Sequence, residues 1–196
     1  MNETLPRMVL GRAGRHRGRT ALCRKEEGRW RNIPWEEVEA RLRAFGRGLL
    51  ALGLAPGERV AIMAPNGPEW VYADLGGMAA GAVTVPVYHT EGVSAALHIL
   101  RDSGSRFLFL RSAVVAGELL QRLDEAPQLE RLILLEGASD DPRAITLETF
   151  LSGGALLPEA ELERRLQAGT PQQTATIVYT SGTTGQPKGV MLSHAS

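Results

Sequence analysis

Apolar residues in this chain recur with two periods, and the alternation between them predicts the architecture. Val38, Leu42, Phe45, Leu49 and Leu52 are spaced by four, three, four and three, so one helix face carries them all. Pro34 suits the first turn of that helix, Glu36 and Glu37 sit near the positive end of its dipole, and Gly53 is a natural stop. The stripe is core. After a turn at Pro56-Gly57, residues 59–63 read as a strand, and Pro65-Asn66-Gly67-Pro68 opens a helix over about 69–80. Its Ala73, Gly76, Gly77, Ala79 and Ala80 predict close packing against a sheet. Residues 83–87 are apolar without a break, as in a strand buried on both faces. Helix 92–103, strand 106–110, helix 112–124 and strand 129–135 follow on short connections. This repetition gives an α/β fold, a doubly wound, mostly parallel sheet flanked by helices.

The flanks are less periodic. Residues 1–19 are rich in Arg and Gly and read as an irregular lead-in. Arg12, Arg15, Arg17 and Arg19 have no aromatic residues among them, which favours a solvated segment over a nucleic-acid arm. Residues 20–24 and 29–33 form a small N-terminal hairpin across Glu26-Glu27-Gly28, with Trp30 as a packing residue on it. From 136 to 173 the chain turns polar: a surface loop, then short helices over 147–151 and 158–167 whose acids lie on solvated faces. There is no internal repeat and no spacing typical of metal ligands.

Composition narrows the function classes. Basic and acidic residues balance at 22 each over 196 residues, which gives no global electrostatic case for nucleic acid. Twenty of the 22 basic residues are Arg, and Lys25 and Lys188 are the two lysines. No apolar run has the length of a bilayer span, so no integral membrane segment is expected. A single cysteine, Cys23, and an N-terminus without a basic start and apolar core fit a cytoplasmic protein.

Lys188 lies in the stretch that carries chemistry. Tyr179-Thr180-Ser181-Gly182-Thr183-Thr184-Gly185-Gln186-Pro187-Lys188-Gly189 follows the β-branched run Thr174-Ala175-Thr176-Ile177-Val178 and precedes Val190-Met191-Leu192, a second strand. Glycines let backbone N–H groups approach an anion, hydroxyls add donors, and lysine adds a point charge suited to phosphate. The stretch reads as a polyphosphate loop between two strands. It is not a Walker loop. Pro187 stands where the second glycine belongs, Gly189 replaces the magnesium-binding hydroxyl, and a strand follows instead of a helix.

The segment YTSGTTGQPKGVMLSH, Tyr179 to His194, resembles the phosphate loop of the adenylate-forming superfamily, which includes acyl-CoA synthetases, luciferases and peptide-synthetase adenylation domains. Trp35-Glu36-Glu37-Val38, Pro56 to Ile62, Asn66-Gly67-Pro68-Glu69-Trp70 and Gly81 to Tyr88 are similar to N-terminal signatures of acyl-CoA synthetases, and Tyr88-His89-Thr90 to the long-chain fatty-acyl class. The family's capping Thr or Ser is replaced here by Pro34. His89 receives no role, and His98, beside Leu97 and Leu100, reads as structural.

The resemblance implies a partial N-terminal, AMP-binding domain over 1–196 that ends just after the loop. It implies activation of a fatty acid by ATP to an acyl-adenylate, then transfer to CoA. Carried onto this sequence, Thr180, Ser181, Gly182, Thr183, Thr184, Gly185 and Lys188 would bind the β- and γ-phosphates, with Thr184 a hydroxyl ligand for Mg²⁺ and Lys188 the catalytic cation. The adenine site, acidic metal ligand, mobile C-terminal domain and most of the acyl pocket are expected beyond Ser196. Without them the chain alone is expected to be inactive, and either to self-associate through the 190–193 strand or to be disordered at its last residues. Two alternatives stay open: another adenylating branch, such as an aryl-CoA ligase or amino-acid adenylation domain, and a non-catalytic α/β module.

Overall fold

The computed structural model describes residues 3–180 and 186–196. Seven strands form one sheet: β3 (Arg59–Met63), β4 (Val83–Pro86), β5 (Ser105–Ser112), β6 (Arg131–Glu136), β7 (Ala144–Thr146), β8 (Thr174–Thr180) and β9 (Lys188–Ser193), in the order β7-β6-β5-β3-β4-β8-β9. All neighbours are parallel except β8 and β9, which pair antiparallel around the predicted loop. The chain leaves β3 toward β4 and then crosses back to β5, so the path is doubly wound, as expected. The expected hairpin is β1 (Thr20–Glu26) with β2 (Arg29–Pro34), a separate two-stranded sheet.

Strand alternation divides the core into two layers. Val60, Ile62, Phe107, Phe109 and Ile133 face helices α2 (Trp35–Ala51), α3 (Pro68–Ala80), α6 (Leu147–Ala155) and α7 (Glu159–Ala168). Ala61, Met63, Leu108, Leu110, Leu132 and Leu134 face α4 (Val93–Ser103), α5 (Ala113–Leu120) and the short 3₁₀ turn Leu123–Glu125. The predicted stripe on α2 is buried at Val38, Leu42, Phe45 and Leu49, and Phe45 packs on Phe109 and Phe150 at ring-centroid distances of 5.6 and 5.7 Å.

Several expectations need correction. The lead-in is not irregular: Leu5–Arg15 is a helix, α1. Pro6, Val9, Leu10 and Ala13 give it an apolar face against the α2–α3 layer, and the Leu5 amide donates to the buried His194 ring at 3.4 Å. Trp30 is not a packing residue; it is 68% exposed. Gly76 serves a helix–helix contact and not only the sheet, since a Cβ there would lie 2.7 Å from Phe45 Cβ and 2.9 Å from the Leu42 carbonyl. The expected helix over 112–124 ends at Leu120, and β7 had no counterpart in the periodicity. Pro34 is the extended residue before α2 and not its first turn.

Candidate functional site

β8 and β9 form a stem whose last pair is Thr180 with Lys188, preceded by Tyr179 with Gly189. β-Branched Thr174, Thr176, Ile177 and Val178 favour the strand on one side, and Val190 on the other. Because β8 runs parallel to β4, the stem opens at the carboxyl edge of the parallel strands, where open α/β sheets place their ligands. Thr180 and Lys188 are both exposed there. Of the predicted site residues, these two are brought opposite each other; Ser181, Gly182, Thr183, Thr184 and Gly185 lie outside the described residues.

Helix α4 holds both sides of this stem. The Tyr179 hydroxyl donates to the Asp102 carboxylate at 2.6 Å. Burial, and after it the Asp102 carboxylate, raise the tyrosine's pKa above the ordinary phenol value, so it stays a protonated donor. One turn earlier on the same helix face, His98 Nε2 lies 3.2 Å from the Pro187 carbonyl. A carbonyl only accepts, so the bond requires the proton on Nε2. His98 Nδ1 is buried and has no partner among the described residues. Gly189 completes the packing. A Cβ there would meet Ile177 Cγ2 at 2.8 Å and Tyr179 Cζ at 3.1 Å, so its role is space for the Tyr179 ring; its φ is not positive. Gly189 is thus required by close approach and not by backbone freedom.

A pocket of about 350 Å³ opens beside this arrangement, lined by His98, Asp102, Gln186, Pro187, Lys188 and Gly189. Two other cavities carry less chemistry. One of about 560 Å³ lies at the same edge near β3 and β5, beside Trp30 and Trp70, and two of its three cations are paired: Arg24 with Glu69 at 2.6 Å and Arg111 with Glu136 at 3.5 Å. Another, of about 360 Å³, is mainly apolar and sits at the opposite edge around Arg59, Val83 and Thr174. Among the described residues no group of three or more His, Cys, Asp or Glu is placed to hold a metal ion.

Sequence reasoning missed Asp102 and gave His98 only a structural role. The available signal was their spacing of four on one helix, but their partners lie 77 and 89 residues away in the chain.

Comparison with known proteins places the fold in a family. The family described as AMP-binding enzyme matches residues 11–196. The long-chain-fatty-acid–CoA ligase ACSBG2 of Xenopus laevis is 31% identical over 176 residues, covering 89% of this chain and 24% of the relative. FadD15, a long-chain-fatty-acid–CoA ligase of Mycobacterium tuberculosis, is 34% identical over 170 residues, covering 87% of this chain and 28% of the relative. The chain thus spans about a quarter of the length of these relatives. Among solved structures, the anthranilate CoA ligase AuaEII in complex with anthranoyl-AMP superposes with a TM-score of 0.81 at 21% identity, over 98% of this chain and 35% of that one. The inhibitor-bound N-terminal domain of FACL13 from Mycobacterium tuberculosis gives a TM-score of 0.71 at 26% identity, over 99% of this chain and 45% of that one. A stem of this kind in a doubly wound sheet, with a family match over nearly the whole chain, leads to one conclusion: the chain belongs to the AMP-binding enzyme family.

Proposed function

We propose that this chain forms the phosphate-binding part of an ATP-dependent acyl-CoA synthetase acting on fatty acids. The observation that carries the reading is the exposed pair Thr180 and Lys188, set across the mouth of the β8–β9 stem at the carboxyl edge of the sheet. The relatives at 30–34% identity, named long-chain-fatty-acid–CoA ligases, support the fatty-acid class. Likeness to aryl-CoA ligase structures at 21–23% identity speaks for the fold alone.

In the reaction, a fatty-acid carboxylate oxygen bonds to the α-phosphorus of ATP as the bridging α–β P–O bond breaks and pyrophosphate leaves. The CoA sulfur then bonds to the acyl carbon, the bond to AMP breaks, and the thiol proton is released. Two anions meet in the first step, so neutralisation and positioning dominate over proton transfer. The Lys188 ammonium follows the charge that grows on the leaving pyrophosphate, and the Thr180 hydroxyl donates beside it. Ser181, Gly182, Thr183, Thr184 and Gly185 complete the donor set by their place in the motif. Thr184 would hold Mg²⁺ by its hydroxyl, and the ion would supply further charge neutralisation.

ATP–pyrophosphate exchange tests this on the protein at its relatives' full length. Exchange driven by long-chain fatty acids is expected. Exchange driven only by aryl or amino acids would move the protein to another adenylating branch, and none with any acid would overturn the reading.

A further inference from the structure

We propose that helix α4 is a two-point clamp on the phosphate-loop stem, with His98 and Asp102 as positioning residues that fix Lys188 relative to Thr180. The loop's two sides are held by different bonds to one rigid element. On the incoming side, Tyr179, one residue before Thr180, donates to Asp102 at 2.6 Å. On the outgoing side, the carbonyl of Pro187, one residue before Lys188, accepts from His98 Nε2 at 3.2 Å. His98 and Asp102 are four residues apart, so a single helix face spans both sides of the stem.

The partners suit a clamp better than a chance contact. Pro187 has a fixed φ, which removes one of the two backbone rotations that could turn its carbonyl away from His98. Tyr179 cannot withdraw from Asp102 without leaving Gly189, over which its ring packs. Helix α4 is itself anchored by Ala96, Leu97, Ile99 and Leu100, buried against β4 and β5, so the clamp inherits the rigidity of the sheet. A cationic side chain at the head of β9 is useful to a reacting phosphate only if its backbone is held, because small misplacement of such a group lowers the rate steeply. The importance for ATP rests on the function proposed above; the clamp itself does not.

The two lysines of this chain make the test specific. A lysine-specific endoprotease can cut after Lys25, in the β1–β2 hairpin, or after Lys188, at the stem. Cleavage in the native state tracks the population of the locally open form. His98→Ala, Asp102→Ala and Tyr179→Phe each remove one hydrogen bond and should speed cleavage at Lys188 about three- to tenfold. Cleavage at Lys25 and the thermal midpoint should hold. Asp102→Ala combined with Tyr179→Phe should do no more than either alone, and His98→Gln, which keeps a donor, should restore protection.

At the relatives' full length, the same variants should raise KM for ATP and lower kcat for adenylation. Thioester formation from pre-formed acyl-AMP should not change, and His98→Gln should again recover the wild-type split. Unchanged Lys188 cleavage in all variants overturns the clamp, as does equal acceleration at Lys25 and Lys188, which would report general unfolding. Faster Lys188 cleavage with unaltered adenylation kinetics overturns the positioning role. Faster cleavage in a protein with no pyrophosphate exchange upholds the clamp and overturns the ATP reading instead.

Discussion

Lys188 heads a strand whose backbone is paired to Thr180, so its charge is delivered by a fixed base and a flexible side chain. Such a group is worth most where charge develops, on the leaving pyrophosphate, and interactions stronger in the transition state raise kcat. In the full-length protein, Lys188→Ala should lower kcat for adenylation on the order of 10²-fold, about 3 kcal/mol, with a smaller change in KM for ATP. Thioester formation from pre-formed acyl-AMP should be nearly unaffected, since no pyrophosphate leaves in that step. A rise in KM alone would make Lys188 an anchor for ATP and not a leaving-group clamp. Lys188 and Thr180 were legible in the sequence because their types and order are rare together. Gly189 was only half legible: sequence marks it as glycine, but its reason, the Tyr179 ring across it, exists only once β8 and β9 pair. His98 and Asp102 needed the packed fold, because nothing local distinguishes them from other polar positions on a helix.

Among the helices, the apolar stripe of α2 was readable from Val38 to Leu49, with Leu52 falling at the partly buried C-cap, whereas α1 was hidden by its arginines and glycines although Pro6, Val9, Leu10 and Ala13 carry a helical spacing. The α3–β4 junction holds something no periodicity reveals, a half-buried acid. Asp74 on α3 accepts a 2.7 Å hydrogen bond from the Thr84 hydroxyl on β4. Burial raises its pKa from 3.8 to about 6, and the Thr84 bond offsets part of that rise. The folded state therefore holds the Asp74 proton more tightly than the unfolded chain. Its contribution is favourable at low pH and is lost as pH rises from about 4 through about 6. Asp74→Asn keeps an acceptor for Thr84 and removes the titration. Denaturant unfolding should find the variant more stable near pH 8 by up to about 3 kcal/mol, with the advantage gone near pH 4. His194, whose pKa is lowered by burial, loses its stabilising contribution as pH falls, but it is common to both proteins and cancels in the difference. A variant equally stable at both pH values would mean that Asp74 is solvated in solution.

The two edges of the seven-stranded sheet are protected unequally, and this asymmetry predicts how the chain behaves in solution. β7 is three residues long, a short edge that offers little backbone to a second molecule. At the other edge β9 is six residues long, and Val190, Met191 and Leu192 are 47, 72 and 39% exposed. Side chains alternate along a strand, so these three place apolar surface on both faces of the sheet's end. Only Lys188 there supplies the charge by which natural edges discourage pairing, and it lies at the loop end of the strand. We propose a second copy of this chain as the occupant of this edge, since antiparallel pairing of β9 with β9 would satisfy both sets of backbone donors by one two-fold axis. Sedimentation velocity from roughly 5 to 200 µM should show the 196-residue chain shifting to larger species as concentration rises. Val190→Lys with Met191→Glu should hold it monomeric over the same range while the circular dichroism spectrum stays unchanged. A wild-type chain that sediments as one monomeric species throughout would show that the β9 edge is closed to self-pairing despite its apolar side chains.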